Sequence, residues 1–345
     1  MTGRERVKRA IAFDRPDRVP MLFFNEGKAH SDIVLVDIQE HFSGANRDVS
    51  EWGFEWERVD GTMGQPREAL INNWKQLETL KAPAVDAERR IRETKAAMSA
   101  YPQDRYFLAS LQLTGFTVMT FLRGFAETLE GLALEPELAG TLADIVFSFE
   151  EELIRVAAAA GFDGIAFYDD WGTQSGMIIS PALWREFFKP RYARQFALAH
   201  AMGLQVYFHT CGNVLPIIPD FKETGVDMLN LGQPNCYDIA ALGRNQNGQC
   251  FVMPVSYQTT SLSGTREEIF RDVEALVNNL GNKGGGLIGY VEEYSSMGMS
   301  GINYQSCVDA FSEMGVYCGN MRKRTDVRET EVCNMQNNSR DGLLL

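Results

Sequence analysis

The sequence predicts a (β/α)8 barrel with a short N-terminal helical extension, on three observations. Eight short apolar runs rich in branched and aromatic residues recur along the chain, most are separated by segments with helical spacing, and no proline- or glycine-rich linker divides them. Strands alternating with helices favour a parallel sheet, and eight such units favour closure into a barrel over an open doubly wound sheet. A length of 345 residues suits one such unit.

The elements follow in order. Thr2 followed by Glu5 reads as a capping box, and Val7, Ala10 and Ile11 then share one face, so a short helix is expected to about Phe13, ended by Pro16 and Pro20. The expected strands are 18–24 "RVPMLFF", 54–60 "FEWERVD", 105–113 "RYFLASLQL", 163–168 "DGIAFY", 204–209 "LQVYFH", 226–231 "VDMLNL", 249–255 "QCFVMPV" and 285–291 "GGLIGYV". Helical spacing marks 136–160, 181–202 and 265–281. The glycine run "GNKGGGLIG" reads as a tight turn into the last strand, since it lacks the lysine and Ser/Thr of a phosphate loop. One domain is expected over 1–320. From 321 to 345 the chain turns polar and aperiodic and reads as a mobile tail.

Composition narrows the function. A formal charge of -13 disfavours nucleic-acid binding, which draws its affinity from clustered Lys and Arg. The N-terminus is charged, and no apolar run approaches the ~18 to 20 residues of a membrane span, so a cytoplasmic protein without membrane contact is expected. The six cysteines are few and scattered, which favours reduced thiols.

In a barrel, chemistry sits where strands end. Asn25, Tyr168 to Trp171, His209 to Cys211, Gln233, Tyr257, Glu292 and Glu293 all fall at such ends. His209 and Cys211 stand two apart, so they face one way, and imidazole nitrogen with thiolate sulfur suits zinc. Alternatively each packs in the core, as free cysteine often does. Asp169 and Asp170 are candidate catalytic carboxylates, able to supply an acid or base or to grip a polar group. The competing reading is that one caps the following loop. Asn25, Trp171, Gln233, Tyr257, Tyr290 and Met297 are the candidate substrate-binding wall, though Met and Tyr near a rim are also ordinary packing. Cys236 and Cys307 are weaker metal candidates, and Cys250 begins its strand, at the other end of the barrel.

The stretch "YDDWGTQSGMIISPALWREFFKPRYARQFALAHAMGLQVYFHTCGNV", with "GVDMLNLGQPN", "GTREEI" and the early "PDRVP", resembles the uroporphyrinogen decarboxylase superfamily, and within it the cobalamin-linked methyltransferase branch, over most of the chain to about residue 320. The resemblance implies a barrel carrying zinc on the pair His209 and Cys211. In the thiol-methylating members a second cysteine follows strand eight. Here "GGLIGYVEE" places Glu293 at that position with Glu292 beside it, so a carboxylate is the implied third ligand. The implied activity is methyl transfer between a small methylated substrate, a methoxylated compound or a thiol, and the cobalt of a separate corrinoid protein that docks transiently. The chain lacks the Asp-x-His-x-x-Gly motif of corrinoid-binding domains, so a corrinoid must arrive on that partner. Loss of the second thiolate tilts the reading toward O-demethylation. A homodimer is compatible with it.

Two other readings stay open. A uroporphyrinogen decarboxylase proper carries an Arg-Gln-Ala-Gly-Arg stretch after its first strand, where this chain has "NEGKAH". A metal-free barrel without catalysis would show no zinc.

Overall fold

A computed structural model of the chain describes residues 1–24, 30–40, 48–57, 64–292 and 295–317. Eight parallel strands form the sheet: β1 (Met21–Phe24), β2 (Ile33–Asp37), β3 (Tyr106–Leu111), β4 (Gly164–Tyr168), β5 (Gln205–Thr210), β6 (Met228–Leu231), β7 (Cys250–Pro254) and β8 (Leu287–Glu292). Their order is β1-β8-β7-β6-β5-β4-β3-β2, so only the β1/β2 seam lacks a full ladder. Side chains help close it. Ser31 Oγ accepts from Phe23 N at 3.0 Å and donates to Met21 O, while Asp32 Oδ2 accepts from Met21 N at 2.9 Å. One backbone bond, Asp32 N to Met21 O at 2.8 Å, completes the seam. The predicted barrel is therefore present.

The second strand is not where the sequence reading put it. Of the expected 54–60, Trp56–Glu57 pair with Gln65–Pro66 in a small antiparallel ribbon and 58–60 lie outside the described residues. The barrel strand is instead "IVLVD" at 33–37, a run of branched residues fit for a buried parallel strand.

The helices are α1 (Gly3–Ile11), α2 (Ala87–Ser99), α3 (Gly115–Arg123), α4 (Phe125–Leu134), α5 (Pro136–Ala160), α6 (Pro181–Phe187), α7 (Lys189–Ala201), α8 (Ile218–Thr224), α9 (Ile239–Arg244), α10 (Arg266–Leu276) and α11 (Gly301–Met314). Thr2 Oγ1 accepts from Glu5 N and caps α1, and Thr265 with Glu268 forms a full capping box on α10. Expected helix 136–160 matches α5, which starts on Pro136 and ends at the left-handed Gly161. Expected helix 181–202 is broken at Phe188, because Pro190 has no N–H for a continuous helix.

Two apolar layers result from strand alternation. One fills the lumen, with Leu22, Ile33, Leu108, Tyr207, Met228 and Ile288 among its members, and Val7 and Ala10 of α1 plug its N-terminal end. The other lies between sheet and helices. A filled lumen leaves the C-terminal mouth as the place for a site. Among the described residues no helix is long and apolar enough to cross a membrane. The expected tail 321–345 lies outside them.

Candidate metal centre

His209 is the last residue but one of β5, with Tyr168 of β4 and Asn230 of β6 as its Cα partners on either side. Asn230 is buried, and its Nδ2 donates to Val252 O at 2.7 Å, which turns Oδ1 toward His209 Nδ1 at 2.5 Å. That oxygen only accepts, so Nδ1 carries the proton and Nε2 is left with its lone pair. Nε2 lies 3.5 Å from Cys211 Sγ and 3.7 Å from an Asp170 oxygen.

The loops after β4 and β5 hold Cys211 and Asp170 against each other. Gly172 N donates to Cys211 O at 3.1 Å, Asn213 N to Thr173 O at 2.8 Å, and Cys211 N to Asp170 Oδ1 at 2.8 Å. This approach needs glycine: a Cβ on Gly212, whose φ is +74°, would lie 2.1 Å from the Gly172 carbonyl carbon. Gly232 clears the other side. A Cβ there would stand 3.0 Å from His209 Cε1 and 3.1 Å from Cys211 Sγ.

One oxygen, one nitrogen and one sulfur from Asp170, His209 and Cys211 thus lie within 4.8 Å of one another. Burial, and next the Asp170 charge, push the Cys211 thiol up, so the bare protein keeps it neutral. A divalent cation would reverse that balance and ionise the thiol. Three such donors fit zinc, whose catalytic sites use three protein ligands and one open position.

The other expected site residues divide. Glu292 ends β8, accepts from Tyr290 OH at 2.7 Å and stands apart from the three-atom cluster. Glu293 and Asn25 lie outside the described residues. Asp170, read from sequence as an acid or base, sits instead where a third ligand would. Asp169 points the other way. Fully buried between sheet and helices, it accepts from Phe116 N and Thr117 N at 2.8 Å each, from Thr117 Oγ1 and from Tyr192 OH. Burial pushes its carboxyl up to about 7 against those hydrogen bonds.

Trp171 was expected at the mouth, but its ring is fully buried, 4.7 Å from Phe116 in a stack, with Nε1 donating to Tyr192 OH. A ring in the helix layer neither touches substrate nor meets a partner. Gln233 and Tyr257 do stay near the cluster: Gln233 Nε2 donates to Tyr257 OH at 3.0 Å, and burial, with Asp170 nearby adding to it, pushes the Tyr257 hydroxyl up. Cys236 Sγ lies 3.7 Å from Gln233 Oε1. Met297 is exposed, while Cys250 and Cys307 are buried. Asn230 and Gly232 escaped the sequence reading. The signal for Asn230 was a lone amide at the end of an apolar strand.

The profile of the uroporphyrinogen decarboxylase (URO-D) family matches residues 49–309. No curated protein matches the chain. Among solved structures, a methyltransferase from Methanosarcina mazei superposes with a TM-score of 0.72 at 18% identity, covering 91% of this chain and 99% of its own. A D-psicose 3-epimerase from Clostridium cellulolyticum H10 gives 0.43 at 11% identity, over 71% of this chain and 88% of its own. At these identities the likeness is one of fold.

Proposed function

Since this chain belongs to the uroporphyrinogen decarboxylase family, we propose that it is a zinc-dependent methyltransferase, moving a methyl group between a small methylated substrate and the cobalt of a separate corrinoid protein. The observation that carries the reading is the Asp170, His209 and Cys211 cluster at the barrel mouth. The shared fold with the Methanosarcina mazei methyltransferase supports it. Zinc held there would supply Lewis acidity, drawing electron density from a methoxyl oxygen or stabilising a substrate thiolate.

The chain's own residues supply orientation. Asn230 holds the His209 ring and its tautomer. Asp170 is tied by one oxygen to the backbone of Cys211, which fixes its approach from β4. Gln233 and Tyr257 form a hydrogen-bonded wall beside the cluster. The lumen below is filled by Tyr207 and its neighbours, so a corrinoid, too broad to enter, must lie across the mouth, presented by its carrier. Exposed Leu215 and Met297, on loops after β5 and β8, offer apolar contact there. Such a carrier must leave again, which suits a modest, transient interface.

Decarboxylation of a porphyrinogen is the second reading, favoured by the family itself. Asp170, Glu292 and Asp37 at the strand ends would repel a polycarboxylate substrate.

Purified protein should hold about one zinc per chain, the count of a single catalytic site. Cys211→Ala should lose most of it. Mixing the protein with a cobalt(I) corrinoid protein and methoxylated compounds should give the methyl-cobalt absorption spectrum, and Cys211→Ala should abolish it. Unchanged zinc in that variant, or no methyl-cobalt in either direction across a broad panel, would overturn the proposal.

A further inference from the structure

The uppermost lumen-facing positions carry a second set of groups beside the metal cluster. Strand alternation places Asp37 and Ser110 there, as Cα partners on β2 and β3, and Phe24 and Glu292, as Cα partners on β1 and β8. Tyr168 joins them from β4. Its ring stands 5.4 Å from that of His209, and its hydroxyl oxygen is completely buried without a hydrogen-bond partner. Ser110 lies beside that hydroxyl without meeting hydrogen-bond geometry, and the charges that bear on it are the carboxylates of Asp37 and Glu292. An unpaired buried hydroxyl is costly unless a ligand completes it.

Aromatic rings of the lumen layer stand beside these groups on two sides of the barrel. Phe24 and Tyr290 stand 6.2 Å apart on β1 and β8, and Tyr168 and Tyr207 stand 6.0 Å apart on β4 and β5. Charge adds a third constraint. A zinc ion held by the Cys211 thiolate and the Asp170 carboxylate is neutral overall, which leaves Asp37 and Glu292 as net negative charge in a cup of aromatic rings. Carboxylates beside aromatic faces attract cations, through ordinary Coulomb attraction and through the ring quadrupole.

We infer that Asp37, Glu292 and Tyr168, with the rings of Phe24 and Tyr290, form a head-group subsite for a small organic cation bearing a hydroxyl, with the ammonium against the carboxylates and the hydroxyl paired to Tyr168. That this ligand is the substrate rests on the methyltransferase reading. The subsite itself does not.

Three molecules of one shape and different charge test it by isothermal titration calorimetry on the zinc-loaded full chain at constant ionic strength: choline, neutral 3,3-dimethylbutan-1-ol and anionic 3,3-dimethylbutanoate. Choline should bind at least roughly tenfold more tightly than the alcohol, and the anion most weakly. Glu292→Gln and Asp37→Asn should each cut choline affinity roughly tenfold and leave the alcohol unchanged, with zinc content intact. Tyr168→Phe should weaken choline and leave propyltrimethylammonium, in which a methyl group replaces the hydroxyl, unchanged. Asp37 is exposed, so its variant keeps the test valid should Glu292→Gln fail to fold. Equal binding of choline and the alcohol, tighter binding of the anion, or no binding of choline overturns the inference. If neutral ethers then still yield methyl-cobalt, the reaction stands and only the subsite falls. Choline selectivity without methyl-cobalt across the panel gives the reverse result.

Discussion

Asn230 does for the cluster of Asp170, His209 and Cys211 what none of the three can do for itself. Its amide is oriented by Val252 O, and through that it decides which nitrogen of His209 faces Cys211 and Asp170. Asn230→Leu keeps much of the volume and removes the acceptor, so His209 gains freedom in both ring rotation and tautomer. Zinc affinity, read by chelator competition, should fall about 10- to 100-fold, as such outer-shell losses do, with the circular dichroism spectrum unchanged. An unaltered affinity would show that the ring is fixed by packing alone. The sequence made His209 and Cys211 legible because two residues on one strand share a face whatever surrounds them. It left Asn230 unread because its partner sits on another strand, 21 residues away.

At the scale of elements, α3 begins on two buried carboxylates. Asp169 takes the N–H groups of Phe116 and Thr117, while Glu150, from α5, takes that of Gly115 at 2.7 Å and is held on its other oxygen by Gln195. Burial pushes Glu150 up to about 8, against the pull of Gln195 and Gly115. An unfolded chain ionises this group near its ordinary value of 4.5, so between that pH and about 8 the folded state keeps a proton that the unfolded state has lost. The stability tied to that proton is full below about pH 4.5 and drains away as the pH rises toward 8, at roughly 1 kcal/mol per pH unit. The melting temperature should therefore fall from pH 5 to pH 8.5, and Glu150→Gln, which cannot ionise, should flatten that slope. An identical slope in the variant would place the pH dependence on other groups. Element type was read well from periodicity where the pattern was long, as in α5. It failed where two short runs competed for the second strand, since four branched residues at 33–36 and an aromatic run at 54–60 look alike until their neighbours are known.

For the whole molecule the weak point is the seam between β1 and β2. Asp32, buried, accepts from Arg6 Nη1 at 2.5 Å, from Arg18 Nη1 at 2.8 Å and from Met21 N, so one carboxylate ties α1, the approach to β1 and the approach to β2. Asp32→Asn puts a neutral amide between Arg6 and Arg18, while Arg6 keeps its two hydrogen bonds to Asp17. The loss should therefore lie below that of a buried charge stripped of every partner, at about 1–3 kcal/mol by urea unfolding. Hydrogen exchange should speed first at Met21 and Phe23, whose N–H groups the Asp32 and Ser31 side chains hold. A loss under about 1 kcal/mol, the range of exposed pairs, would mean the seam is held by packing instead.

The sequence by itself determined the barrel and pointed to its strand ends for the candidate site. Periods of 2.0 and 3.6 residues are local properties, and the rule that sites lie at strand ends needs only the strands. It also placed His209 and Cys211 on one face of a strand. Tertiary structure alone brought a carboxylate, that of Asp170, beside the pair. Asp169 and Asp170 are the same residue type side by side at the end of β4, yet one enters the helix layer and the other meets Cys211, because successive residues leave a strand in opposite directions. Which direction faces the mouth depends on register with β5 and on the contact between Gly172 and Gly212. The expected donor Glu293 lies outside the described residues, and the cluster among the described residues is assembled across β4 and β5. Distance along the chain carries no record of which neighbouring strand supplies a ligand; hydrogen-bond register does.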